Sequence, residues 1–400
     1  MLVSRRTALS AALAGPLTVG VATRATAGPG APSAVAVRWQ RVTIRTLFLE
    51  AGMPPPLAVV PMAVTSLAVH DAVREAGGLG ANAARVAVAC AAHHVLRHYV
   101  PGSAAALDAE LADSLASVPR SPGKAKGMAV GMEVGHAWVV ARTGDGFNDT
   151  SVVYAKAPGI GVWQPAPGGA MAQAWLGFVR PLVATGPVAV GAPDPVGSAA
   201  YATDHEEVRL VGGAVSSERS QDEGDIARFF ATFSPLYMYR DALCRLLDAD
   251  PMSLASTARL FAVVDAAVAN AFITTWRLKF DVGFWRPFQA IRADDGDSRT
   301  VTDPTWSSFV PTPPYSDYSS GHAVATGPMA EVLRSTFGDG TSLRLHNRVL
   351  GVERSWDSLA DLEHDAFHAR IWGGLHYRRA MTDGYDLAHR TAHAVMAALG

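Results

Sequence analysis

Three short stretches in the last third of the chain concentrate side chains suited to holding a small tetrahedral oxyanion. The first sets Lys279 and Arg286 among Trp276, Phe280, Phe284 and Trp285 and ends on Pro287. On a continuous helix this spacing puts the two cations within about 20° of each other. Cations among aromatics are unlike a solvated face, although two side chains snorkelling from a helix edge would fit this piece alone. The second stretch is Tyr318-Ser319-Ser320-Gly321-His322, just before an apolar helical run. Ser320 is the expected N-cap, Gly321 lets its N–H approach a ligand, and helix N-termini attract anions through free N–H groups and the helix dipole. His322 stands at that mouth, where a histidine taken alone is more often a surface residue. The third stretch runs from Arg370 to His376. It offers a planar guanidinium that can clamp two oxygens and an imidazole suited to nucleophile or metal ligand. On an unbroken helix the two would stand about 120° apart, so Gly373-Gly374 are expected to bend the segment. A snorkelling arginine and a satisfied core histidine are the bland alternative.

Together the three pieces say more than each does alone. A tetrahedral oxyanion in a closed pocket needs several permanent cations and hydrogen-bond donors, because an unpaired buried charge is very costly. Lys279, Arg286 and Arg370 supply positive charge, Ser320 and Gly321 supply neutral donors, and His322 and His376 supply one group to bond the anion and one to exchange protons with it. The order Lys279-x6-Arg286-Pro287, then Ser320-Gly321-His322, then Arg370-x5-His376 resembles the vanadium-dependent haloperoxidases and the related type 2 phosphatidic acid phosphatases, most closely the secreted bacterial haloperoxidase-like branch. Further matching stretches are Pro54–Pro56, Leu67–Val73, Gly161–Pro167, Ser216–Phe230, Ala258–Trp276 and Thr302–Tyr315, so the likeness covers nearly all of the chain beyond its first segment.

That resemblance implies an all-α helical bundle and a vanadate cofactor. His376 would hold vanadium through a ring nitrogen, with Lys279, Arg286, Ser320, Gly321 and Arg370 on the equatorial oxygens. His322 would bond the apical oxygen and act as acid and base, and Lys279 would polarise the activated oxygen. Hydrogen peroxide, a halide and a small organic acceptor would be the partners, with Trp276 and Tyr315 bordering the halide side. The same pocket can run phosphatase chemistry: His376 becomes the nucleophile, His322 protonates the leaving group, and phosphate competes for the vanadate site. A silent oxyanion-binding relative is a third reading, disfavoured because binding alone needs no acid and no nucleophile. Two departures from the family pattern stand out. Ser319 replaces a usual proline and is expected to loosen its loop; Ala380 replaces a frequent aspartate and is expected to tune the site.

Other motifs carry less. His364-Asp365-Ala366-Phe367-His368 misses a zinc-protease motif by its Asp and lacks an obvious third ligand. Asp294, Asp295 and Asp297 resemble part of a calcium loop but lack its terminal Glu, which favours a solvated turn. For Cys90 and Cys244, a disulfide and two separate buried thiols both stay open.

The elements that must position these residues are helical. Apolar residues recur at helical spacing from Val37 to about Val100, over Gly102–Arg120 (with Ser103 as N-cap) and Gly123–Thr143, and from about Ala200 onward, most clearly over Ala258–Phe280, Ala323–Phe337 and Asp361–Gly373. Residues 144–200, rich in Gly and Pro, read as an ordered irregular crossing with a short hairpin expected in 144–165. The chain reads as one domain over 37–400, with the oxyanion site in 276–380. Residues 1–27 read as a twin-arginine export signal: Arg5-Arg6, an apolar stretch too short to span a bilayer, and Ala25-Thr26-Ala27 as cleavage site, with a linker over 28–36. A secreted protein is expected, with no integral membrane segment in its mature chain. Cleavage would remove three arginines and shift the formal net charge from −2 to −5. With no basic excess, a nucleic-acid partner has no electrostatic support. A homodimer is left open.

Overall fold

The computed structural model describes residues 33–400. The signal segment 1–27 and residues 28–32 of the linker lie outside the described residues. Helices dominate, in the order α1 (Ala34–Ile44), α2 (Pro55–Ala76), α3 (Ala81–Tyr99), α4 (Ala104–Ala116), α5 (Pro122–Ala141), α6 (Ala199–Val211), α7 (Gln221–Thr232), α8 (Pro235–Ala249), α9 (Leu254–Val282), α10 (Pro287–Arg292) and α11 (Ala323–Phe337). A hairpin of β1 (Leu343–Asn347) and β2 (Val352–Trp356) precedes α12 (Leu359–Trp372) and α13 (Arg378–Ala398). The expected all-α bundle is the observed architecture.

Two helices form the centre. α2 starts within the proline run, with Pro55 in the first helical position, where its missing N–H costs nothing. α9 is 29 residues long and is capped by the Ser253 hydroxyl, which accepts from the Ser256 N–H at 3.0 Å. By length and composition both could cross a membrane, but 89% of each apolar window is buried inside the protein. Their continuous hydrophobicity is that of core helices, buried on all sides. α2 packs against α3, α5 and α9, and α11 and α13 pack on α9 and on each other. The functional half of the chain is thus built around α9.

Several sequence expectations are corrected. α1 begins at Ala34, so residues 34–36 are helix rather than linker, and Ala36 is already in the core. Ser103 precedes α4 but makes no side-chain cap; Ser121 caps α5, accepting from the Lys124 N–H at 3.1 Å. The hairpin expected in 144–165 is absent, and the one formed pairs Leu343 with Trp356 and Asn347 with Val352. Its five-residue strands are too short for their alternation to stand out in the sequence. The 144–165 segment instead braces the end of α9: the Trp163 N–H donates to the Gly283 carbonyl at 2.8 Å and the Trp285 N–H to Gly161 at 3.0 Å. Cys90 and Cys244 are both free and buried.

Candidate active site

Lys279 lies in the last turn of α9 and is completely buried. The helix does not continue to Arg286, as the seven-residue spacing suggested. It stops at Gly283, whose φ of +62° is costly for any residue with a Cβ, and a Cβ there would fall 2.3 Å from the Tyr154 hydroxyl. Arg286 follows in extended conformation at the start of α10. The two cations therefore reach the site from a helix end and from the loop after it.

The loop before α11 is tied down at each step. The Ser316 hydroxyl donates to the Lys279 carbonyl at 2.7 Å, and the Ser320 N–H donates to the Ala380 carbonyl at 3.1 Å. Ser319, expected to loosen this loop, is buried with its hydroxyl 3.2 Å from that of Thr275 on α9. Ala380 is buried in α13, where its backbone carbonyl rather than its side chain serves the loop. Ser320 is not the residue next to the helix, since His322 occupies the cap position. Its hydroxyl nevertheless accepts from the N–H groups of His322 (3.3 Å) and Ala323 (3.4 Å). The Gly321 N–H makes no hydrogen bond with a described residue. A Cβ at Gly321 would come within 3.3 Å of the Trp276 ring, so a larger residue would crowd the indole.

At the third stretch the glycine pair does bend the chain. α12 ends at Trp372, Gly374 takes a φ of +76°, and the Leu375 N–H returns to the Arg370 carbonyl at 2.9 Å. His376 is thereby folded back toward Arg370.

The side chains form one buried constellation. The Lys279 ammonium donates to the carbonyls of Ser316 (2.8 Å) and Asp317 (2.7 Å). Arg286 donates through Nε to Tyr315 O and through Nη1 to Leu375 O, both at 2.7 Å, and that Nη1 lies 3.4 Å from His376 Nε2. Arg286 Nη2, Arg370 Nε and Arg370 Nη1 are buried and have no hydrogen-bond partner. Nearly all buried polar groups find partners, so three unmatched guanidinium nitrogens mark a place where acceptors belong. His376 Nδ1 pairs with Asp317 Oδ1 at 2.8 Å; a proton there leaves Nε2 unprotonated in the neutral ring. His322 Nε2 lies 3.2 Å from the Phe230 carbonyl, which it reaches as a donor, so its Nδ1 is the acceptor nitrogen.

The electrostatics follow from burial and crowding. Burial, reinforced by Arg286 and Arg370, holds Lys279 well below its usual range. Burial also lowers Arg370 to about 9, with Arg286 adding to the effect. His376 is pushed far down by burial and then by Arg286, Lys279, Arg370 and His322. His322 is lowered in the same way, by burial and then chiefly by Arg370. Asp317 is raised to about 7 by burial, against the pull of Arg286 and Lys279. These mutual shifts place all five sequence-predicted titratable groups in one field, with Ser320 and Gly321 in the loop that bounds it. The pocket carries more positive than negative charge, which suits an anion.

The sequence reading missed Asp317. It is the only acid between Asp303 and Glu331, and a lone carboxylate in a Pro/Ser/Tyr-rich loop next to Ser-Gly-His was the available signal. The other motifs have local roles. Asp365 accepts from Trp356 Nε1 at 2.8 Å, and no group of three or more His, Cys, Asp or Glu side chains suited to a metal ion exists among the described residues. Asp294 and Asp295 each accept the N–H two residues on, and Asp297 pairs with Arg299, as in a solvated turn.

Residues 259–399 match the VCPO second helical-bundle domain. Vanadium chloroperoxidase of Curvularia inaequalis is 38% identical over 90 aligned residues, which are 20% of this chain and 14% of that protein, so the likeness spans a small part of the relative's length. Among solved structures, the first bacterial vanadium-dependent iodoperoxidase has a TM-score of 0.74 at 20% identity, over 92% of this chain and 96% of that one. The holo-type bacterial vanadium-dependent chloroperoxidase has a TM-score of 0.67 at 13% identity, over 90% and 97%. At these identities the structural likeness speaks for the fold.

Proposed function

We propose that the protein is a secreted vanadate-dependent haloperoxidase, oxidising halide with hydrogen peroxide to give hypohalous acid or a halogenated organic product. The observation that carries this reading is the set of three buried, acceptor-less guanidinium nitrogens beside a histidine whose Nε2 is left unprotonated. The donor set fits a tetrahedral oxyanion: Arg286 Nη2, Arg370 Nε and Nη1, the Gly321 N–H and the Ser320 hydroxyl would hold its oxygens, and His376 Nε2 would bond its centre. Bound vanadate would supply a Lewis-acidic centre at which peroxide is activated toward halide.

The chain's own residues do the rest. Asp317 holds His376 in the tautomer that leaves Nε2 available, as a carboxylate commonly does behind a metal-bound histidine. Arg286 and Arg370, both buried, would balance the oxyanion's charge. Lys279, held by two carbonyls, stabilises negative charge developing on the reacting oxygen. His322, with Nε2 engaged by Phe230, can take and return a proton at Nδ1. Phosphate would compete for the same donors.

The test is a pair of assays on the purified protein. Halogenation of a dye should require orthovanadate, peroxide and bromide or chloride, and excess phosphate should block it. Turnover of p-nitrophenyl phosphate without any halogenation would replace this reading with a phosphohistidine phosphatase. His376→Ala should abolish activity, and an active variant would remove His376 from the mechanism.

A further inference from the structure

A second chamber adjoins the anion site, shares Gly321 and His322 with it, and is otherwise lined by uncharged residues. It is a cavity of about 370 Å³, within the range of small-molecule pockets and equal to the space of about a dozen waters. His322 and Gly321, at the edge of the anion site, form part of its lining. Six of its fourteen lining residues are proline, which has no N–H to offer, and no lysine, arginine, aspartate or glutamate lines it. Such walls do not suit a charged or strongly hydrated occupant, because they cannot replace its hydration.

The aromatic part of the wall is fixed in place. Trp276 stacks on Phe272 at 5.3 Å with an interplanar angle of 19°, lies 4.9 Å from Tyr315, and donates its Nε1–H to the Ala172 carbonyl at 3.1 Å. Tyr315, partly exposed and backed by the fully buried Trp276, is the rigid aromatic surface beside the prolines, and such a wall recognises a flat apolar molecule at little ordering cost. There is one neutral polar handle. Gln173 is held at φ +48°, a left-handed conformation uncommon for a residue with a side chain, and its amide makes no hydrogen bond with a described residue.

We propose that this chamber binds the organic acceptor itself, an uncharged, planar aromatic molecule of one or two rings, and presents it at His322 next to the oxidising centre. The inference rests on the haloperoxidase reading for the word acceptor, but binding of the aromatic molecule does not depend on it. Halogenation would then occur on a bound ring: the electrophilic halogen forms a carbon–halogen bond, the ring gives up a proton, and peroxide, the oxidant already required, is reduced to water.

The experiment uses 2-naphthol and its 6-sulfonate, which share the reactive ring and differ in charge. Without vanadate, 2-naphthol should quench tryptophan fluorescence saturably and the sulfonate should not. Ala172→Phe, which fills the cavity from a partly exposed loop, should weaken 2-naphthol binding roughly tenfold or more. Gln173→Ala, which keeps the loop backbone, should weaken it less and serves as the check should the first variant fold poorly. With vanadate, peroxide and bromide, the enzyme should prefer 2-naphthol over the sulfonate well beyond the ratio given by free hypobromous acid, and Ala172→Phe should raise KM for 2-naphthol by a larger factor than it changes KM for bromide. Equal handling of the two naphthols, matching the free-reagent ratio and indifferent to both variants, would overturn the proposal. Saturable binding of 2-naphthol without halogenation of any acceptor would sustain the chamber's ligand class and overturn the haloperoxidase reading instead.

Discussion

Two of the places where the protein buries arginine treat it in different ways. In the core, Arg240 pairs with Asp265 and donates to the Gln40 side-chain carbonyl at 2.8 Å, while the Ser66 hydroxyl donates to Asp265 at 2.5 Å. The counter-charge is built in, and the group joins α1, α2, α8 and α9. In the candidate site, Lys279, Arg286 and Arg370 are equally buried, yet the only carboxylate among them, Asp317, is engaged with His376, and three guanidinium nitrogens have no acceptor. The first arrangement is complete within the chain. The second leaves donors unmatched, and the proposed oxyanion would supply their acceptors. A buried cation is thus not by itself a sign of function; a buried cation without an internal acceptor is.

The largest expected effect lies in the complete pair. Asp265→Ala strands Arg240 in the core and should destabilise the protein by about 3–5 kcal/mol in chemical denaturation, with no rescue by phosphate. Arg370→Met should behave in the opposite way. Oxyanion affinity should fall by at least about 30-fold, the lower end of what loss of a buried charge partner costs, whereas the melting temperature without oxyanion should not fall, because repulsion with Lys279 and Arg286 is relieved. A marked loss of anion-free stability would show that Arg370 is a structural cation like Arg240.

Asp317→Asn should keep the fold and lower vanadate affinity by about 10–100-fold, the usual effect of removing the carboxylate behind a ligating histidine. Unchanged affinity would take Asp317 out of the positioning role. The smallest effect is on pH. Burial lowers Arg370 to about 9, so the anion-free site sheds a proton as pH rises through that value, and a bound anion has to restore it. Phosphate or vanadate affinity should therefore decline between about pH 8 and about pH 10, by no more than roughly tenfold per unit for each proton involved. Affinity that rises over this window would contradict the assignment.

The sequence made the convergence readable because each stretch joins rare ingredients: cations among aromatics, Ser-Gly-His before a helix, and an arginine and histidine spaced around a glycine pair. The all-helical class was readable from long apolar runs such as that of α9. What escaped depends on backbone detail. Arg286 leaves the helix because Gly283 adopts a left-handed conformation, which a helical count cannot anticipate. Asp317 meets His376 only when its loop folds beneath that ring. The hairpin was misplaced because its strands are five residues each, and the α1 start because Ala34–Ala36 continue an alanine-rich run without a break.

Calorimetric titration of orthovanadate into the purified protein at neutral pH tests the central claim most directly. A single site per chain, displaced by phosphate and lost in both Arg370→Met and His376→Ala, is the predicted result. Absence of binding, or binding that survives both substitutions, would show that the unmatched cations do not await an oxyanion.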